Sequence, residues 1–112
     1  MSIQKIGVVW NGSKTTGLDA VRRILRMLDN RRISYSLNED LALVTGESAL
    51  QDAVDFADCD VLAVFGGDGT ILRALDCAIP NDLPILGVNL GRLGFLSEIE
   101  IARAEEAFQR VL

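Results

Sequence analysis

The run Val61-Leu-Ala-Val-Phe65 is apolar at every position and leads straight into Gly66-Gly67-Asp68-Gly69-Thr70. A strand with no polar face must be covered on both sides, which places it centrally in a parallel sheet packed between helices. The rest of the chain agrees. Short apolar runs alternate with segments of helical period, the pattern of successive βαβ units.

Ile3 to Trp10 reads as the first strand, with Ile6, Val8 and Val9 as its buried run. Leu18, Val21, Leu25 and Leu28 recur at intervals of three and four with Arg22, Arg23 and Arg26 between them, predicting an amphipathic helix over 17–30. Ile33 to Leu37 and Leu41 to Val44 read as short strands. Ser48 and Gln51 have the spacing of a capping box, opening a helix through Ala53, Val54 and Ala57. After the glycine turn a helix is expected from Thr70 to Ala78, closed by Pro80. Pro84 to Val88 is the next strand and empties into the glycine loop Asn89 to Ser97. Ala104, Ala107, Phe108, Val111 and Leu112 mark a last helix that reaches residue 112 without a glycine cap, so the polypeptide is expected to continue. Trp10 and Tyr35 are expected in the core, and Cys59 and Cys77 as reduced, buried small hydrophobes. The expected fold is α/β, a Rossmann-like three-layer domain with a mainly parallel sheet.

Composition excludes several functions. A chain of 112 residues, 49% apolar, supports one core and no large second lobe. Eleven basic against sixteen acidic side chains give a net charge of −5, and no Lys or Arg run forms a basic stripe. Nucleic acid and membranes are therefore not expected as partners. No apolar stretch approaches the ~20 residues of a membrane helix, and the start Met-Ser-Ile-Gln-Lys lacks the apolar region of a signal peptide, so a cytoplasmic location is expected. With no histidine and only two isolated cysteines, zinc sites and His-based triads are excluded, and no metal ligand is assigned.

Six of the ten glycines lie between Gly66 and Gly94, and function is sought there. In doubly wound sheets ligands bind outside the carboxyl ends of the strands, where glycines let the backbone approach a phosphate. The 66–70 segment lies between strand and helix, where successive N–H groups and the positive helix end suit an anion. A plain turn in which Asp68 or Thr70 caps the helix is the structural alternative. A carboxylate within a phosphate cradle makes sense beside Mg²⁺ or a proton to be abstracted, so Asp68 is a candidate general base or metal-proximal group. Arg73, one turn on, is a candidate phosphate contact. Gly12 to Gly17 has the gap of a Walker A loop, but Leu18-Asp19 stands where Lys and Ser or Thr are required. No GxGxxG occurs. Phe95, between glycines, offers a flat surface to a base or nicotinamide ring.

Phe65-Gly-Gly-Asp-Gly-Thr-Ile-Leu-Arg-Ala74, followed by Gly87-Val-Asn-Leu-Gly-Arg-Leu-Gly-Phe-Leu96, resembles the amino-terminal domain of the ATP-NAD kinases. The Gly-Gly-Asp-Gly core is shared with lipid kinases and phosphofructokinases; the second motif narrows the choice. The resemblance implies transfer of a phosphoryl group from ATP, or polyphosphate in some members, to the adenosine ribose 2′-hydroxyl of NAD, with a divalent metal such as Mg²⁺. It implies Asp68 as the base and Gly66, Gly67, Gly69, Thr70, Arg73 and Phe95 as substrate- or nucleotide-binding residues. It also implies a β-rich carboxy-terminal domain outside residues 1–112, a homo-oligomeric complete protein, and little or no activity for this chain alone. A lipid kinase and a non-catalytic nucleotide-binding or oligomerisation module are the competing readings.

Overall fold

A computed structural model describes residues 3–10, 17–38, 41, 56–90, 99–100 and 103–112. Five strands form one sheet: β1 (Lys5–Trp10), β2 (Ser34–Leu37), β3 (Val61–Gly66), β4 (Ile85–Asn89) and β5 (Ile99–Glu100). Their order is β2-β1-β3-β4-β5, and every neighbouring pair is parallel. Three helices lie among the described residues, α1 (Leu18–Asn30), α2 (Asp68–Ala78) and α3 (Ala104–Val111).

All six residues of β3 are buried, as its unbroken apolar run requires. Alternate side chains serve opposite faces. Val61, Ala63 and Phe65 join a core with Ile6, Val8 and Trp10 of β1, Val21, Ile24, Leu25 and Leu28 of α1, and Phe108 of α3. Leu62 and Val64 face Ile71, Ala74 and Ala78 of α2, together with Phe56 and Cys59. The Phe65 and Phe108 rings stack with centroids 5.9 Å apart, tying the central strand to the last helix. The result is the three-layer α/β arrangement the patterning predicts.

Several boundaries differ from expectation. Helix α2 begins at Asp68, two residues early, because Gly67 takes an extended conformation (φ −111°, ψ −169°) and serves as the N-cap. Ile33 precedes β2, and Gly66 and Asn89 extend β3 and β4. Of the strand expected over 41–44 only Leu41 is described, and it is helical and buried. The helix expected from Ser48 lies outside the described residues up to 55. Trp10 is buried as expected, Tyr35 half-buried; Cys59 is buried, but Cys77 on α2 is only half so. Strand β5 was not anticipated, since two residues are too short to carry a period. No helix among the described residues is long and apolar enough to cross a membrane.

The amino edge of the sheet is pinned by acidic residues just before β3. The Asp60 carboxylate accepts hydrogen bonds from the Gln4 and Lys5 backbone N–H groups at 2.8 and 3.1 Å. The Lys5 ammonium donates to both Asp58 carboxylate oxygens at 2.9 Å. These contacts hold both carboxyls below the ordinary aspartate value of 3.8. For Asp58 the Lys5 hydrogen bond is the chief cause, for Asp60 the Gln4 and Lys5 N–H groups. Because the folded-state values are depressed, the associated stability is present above the ordinary value and lost as pH falls through the folded one. Urea midpoints measured from pH 6 down to about pH 2.5 are predicted to fall less steeply for Asp58→Ala/Asp60→Ala than for the unmodified chain. Equal slopes would contradict this.

Candidate functional site

The sheet order reverses direction between β1 and β3. From β1 the chain moves outward through α1 to β2, then crosses back to β3 and proceeds the other way to β4. Such a reversal opens a crevice at the carboxyl ends of the two strands, the usual ligand position in open α/β sheets. The glycine turn stands there: β3 ends at Gly66 and α2 starts at Asp68.

Gly66 is demanded by packing. A Cβ built on it would lie 2.5 Å from Thr70 Oγ1 and 2.7 Å from Thr70 Cβ. The first turn of α2 therefore rests directly on the end of β3. The Leu90 N–H donates to the Gly66 carbonyl at 3.2 Å, and Asn89, buried, is in register with Gly66. On the neighbouring strand Asn38 accepts from the Trp10 N–H at 2.9 Å and donates to the Trp10 carbonyl at 3.0 Å, tying the ends of β1 and β2. The sequence reading passed over both asparagines. Asn89 closes the apolar run of β4, whereas Asn38 follows the mixed segment Ser34–Leu37 and carries no such signal.

Gly67 and Gly69 differ from Gly66. No described atom lies within 4 Å of a Cβ on Gly67, and its backbone is of a kind any residue adopts. A Cβ on Gly69 would make only an ordinary contact, 3.8 Å from Arg73 Nη1. Gly69 lies inside α2, where glycine costs ~0.5–1 kcal/mol relative to alanine. Neither glycine is required by the fold as described, and they flank Asp68.

Asp68, half-buried, is the first residue of α2, where the N–H groups have no carbonyl four residues earlier to bond. The N-cap position is held by Gly67, which has no side chain, so neither Asp68 nor Thr70 fills it. Thr70 is buried, and Arg73 is exposed with its guanidinium 3.5 Å from the Thr70 hydroxyl, to which it donates. The structure thus brings Gly66, Gly67, Asp68, Gly69, Thr70 and Arg73 together in one turn. Phe95 lies outside the described residues.

Other chemistry is weak. No group of three or more His, Cys, Asp or Glu suited to a metal ion occurs among the described residues. Burial pushes the Cys59 thiol up to about 11, against a smaller opposing effect of the Lys5 charge, which leaves it protonated and unreactive at neutral pH. A groove of about 380 Å³ between α1 and α3 is lined by Arg23, Arg26, Met27, Asn30, Glu105 and Gln109, none of them from the glycine turn.

Comparison with known proteins converges on one family. The family model described as the ATP-NAD kinase N-terminal domain matches residues 6–112. The NAD kinase of Desulforamulus reducens is 39% identical over 109 residues, covering 96% of this chain, and that of Heliobacterium modesticaldum 37% identical over 110 residues, also covering 96%. In both cases the chain spans 38% of the relative's length. Among solved structures, a yeast NADH kinase complexed with NADH shares the fold with a TM-score of 0.79 at 20% identity, over 99% of this chain and 38% of that one. Turn, topology and sequence agree, and the chain belongs to the ATP-NAD kinase N-terminal domain family.

Proposed function

We propose that the protein phosphorylates the adenosine ribose 2′-hydroxyl of NAD with ATP as donor, giving NADP, and that the 66–73 turn is its phosphoryl-transfer site. The observation that carries this reading is the pair Gly67 and Gly69. Both are glycines that no described packing demands, on either side of a carboxylate at a helix start. Bare backbone at that place suits close approach of a phosphate, and the family to which the chain belongs supplies the phosphate chemistry.

Asp68 accepts the proton of the 2′-hydroxyl as its oxygen bonds to the γ-phosphorus, while the bond from that phosphorus to the β-phosphate oxygen breaks and ADP leaves. The N–H groups of the first turn and the Arg73 guanidinium face the charge spread over the transferred group. A divalent metal, Mg²⁺, is part of this proposal. Mg²⁺ usually keeps several waters and binds through substrate phosphates more than through an all-protein cage, so a phosphate cradle suits it. There it would neutralise phosphate charge. Phe95 is proposed to line the NAD pocket, with a carboxy-terminal domain and a second subunit completing the site.

The electrostatics are local. A net charge of −5 does not oppose phosphate binding when the phosphate meets N–H dipoles and one arginine at short range, since more distant charges are screened beyond ~8–10 Å.

Replacement of the base tests the reading. Asp68→Asn in the intact protein is predicted to lower turnover of NAD by ~10²-fold or more with the circular dichroism spectrum unchanged. A folded variant retaining more than a tenth of the activity would contradict the role. Two alanine substitutions separate the glycines. Gly66→Ala is predicted to lower the thermal midpoint by several degrees, an overpacking cost of ~1–3 kcal/mol. Gly67→Ala should leave the midpoint unchanged or raise it, yet increase KM for ATP or NAD about tenfold or more. Unaltered kinetics in a folded Gly67→Ala protein would remove the reason for that glycine.

A further inference from the structure

Among the described residues only Ser36, Thr70 and Asn89 are buried and polar. A buried hydroxyl or amide costs free energy unless it gains a partner. Two of these three adjoin Gly66: Asn89 beside it in register, Thr70 against its α-carbon. Thr70 is therefore turned toward the sheet, with its β-carbon and hydroxyl wedged where Gly66 has no side chain.

Helical side chains lean toward the helix amino terminus, so Arg73 lies over the turn that holds Gly69 and Thr70. Two distances place its head group there. Nη2 donates to Thr70 Oγ1 at 3.5 Å, and Nη1 stands 3.8 Å from the position a Gly69 Cβ would occupy. At that length the hydrogen bond is weak, and it acts by favouring this guanidinium orientation modestly over the alternatives. Direction matters for an exposed arginine, whose long side chain otherwise loses rotamer freedom when ligand arrives. Gly69 places no side chain against the guanidinium on that side.

We propose that Thr70 is a positioning residue, whose hydroxyl, wedged against Gly66, aims the Arg73 guanidinium over the first turn of α2 to receive a substrate phosphate. This rests on the kinase reading above. The ligand chemistry is a phosphate oxyanion, supplied either by NAD or by the ATP donor.

Steady-state kinetics of the intact protein with NAD and Mg-ATP varied separately distinguish the two sources. Thr70→Val, which keeps shape and removes the hydroxyl, is predicted to raise KM for one substrate about three- to tenfold with kcat within about twofold. Thr70→Ser is predicted to bring that KM back to within about twofold of the parent. Arg73→Ala should raise the same KM about tenfold or more, and Thr70→Val/Arg73→Ala should be no worse than Arg73→Ala alone. A rise for NAD assigns the dinucleotide phosphate, a rise for ATP the donor phosphate. Multiplicative effects in the double variant, or an unchanged KM for both substrates in Thr70→Val, would overturn the proposal. A second readout does not depend on turnover: ¹⁵N relaxation of the Arg73 Nε–H should show larger-amplitude motion in Thr70→Val than in the parent. Equal amplitudes would overturn the clamp even in an active enzyme. A protein that did not phosphorylate NAD but showed increased motion in Thr70→Val would refute the kinase reading and leave the clamp standing.

Discussion

The side chain of Thr70 occupies the space that any residue other than glycine would fill at position 66. That close approach sets how tightly α2 follows β3 and where Asp68 stands relative to the sheet. Because Gly66 is in register with Asn89 and its carbonyl accepts from Leu90, the contact also fixes the exit of β4. The Asn38 bridge to Trp10 does the same for β1 and β2. The carboxyl edge of the sheet is thus assembled from backbone bonds and small buried polar groups, and a site built there inherits the rigidity of the central strand.

The two ends of the sheet are held by different means. At the amino edge Asp58 and Asp60 use charge, through Lys5 and two backbone N–H groups. At the carboxyl edge neutral groups make the described contacts: Asn38 bridges the ends of β1 and β2, and Thr70 packs on Gly66. Asp68 and Arg73 are the charged side chains of the 66–73 segment. The chain's overall charge of −5 has the same sign as the phosphates of the proposed substrates.

Much of this was legible because the sequence signals were long or sharp. The unbroken apolar run of β3 marks a strand covered on both sides, the spacing of apolar residues in α1 and α3 marks a helical period and a buried face, and each element formed where expected. The turn was legible because three glycines surround one carboxylate directly after the most apolar strand. What the sequence withheld were distinctions that depend on three-dimensional neighbours. Gly66 and Gly67 are identical as letters, but one lies against Thr70 and the other has no described atom within 4 Å of a Cβ placed on it. In the sequence Thr70 reads as a cap or a ligand contact, and the structure adds its hydroxyl beside Arg73. The onset of α2 at Asp68 was missed because Gly67 caps without a side chain, and β5 because two residues carry no pattern.

The central claim is that Asp68 meets the hydroxyl that becomes phosphorylated. A crystal structure of the intact protein with NAD and a non-hydrolysable ATP analogue tests it most directly. The account predicts an Asp68 carboxylate oxygen within about 3 Å of the ribose 2′-hydroxyl, with the γ-phosphate opposite the N–H groups of the 67–70 turn. A 2′-hydroxyl well beyond hydrogen-bond reach of Asp68, with another base beside it and the turn clear of phosphate, would contradict it.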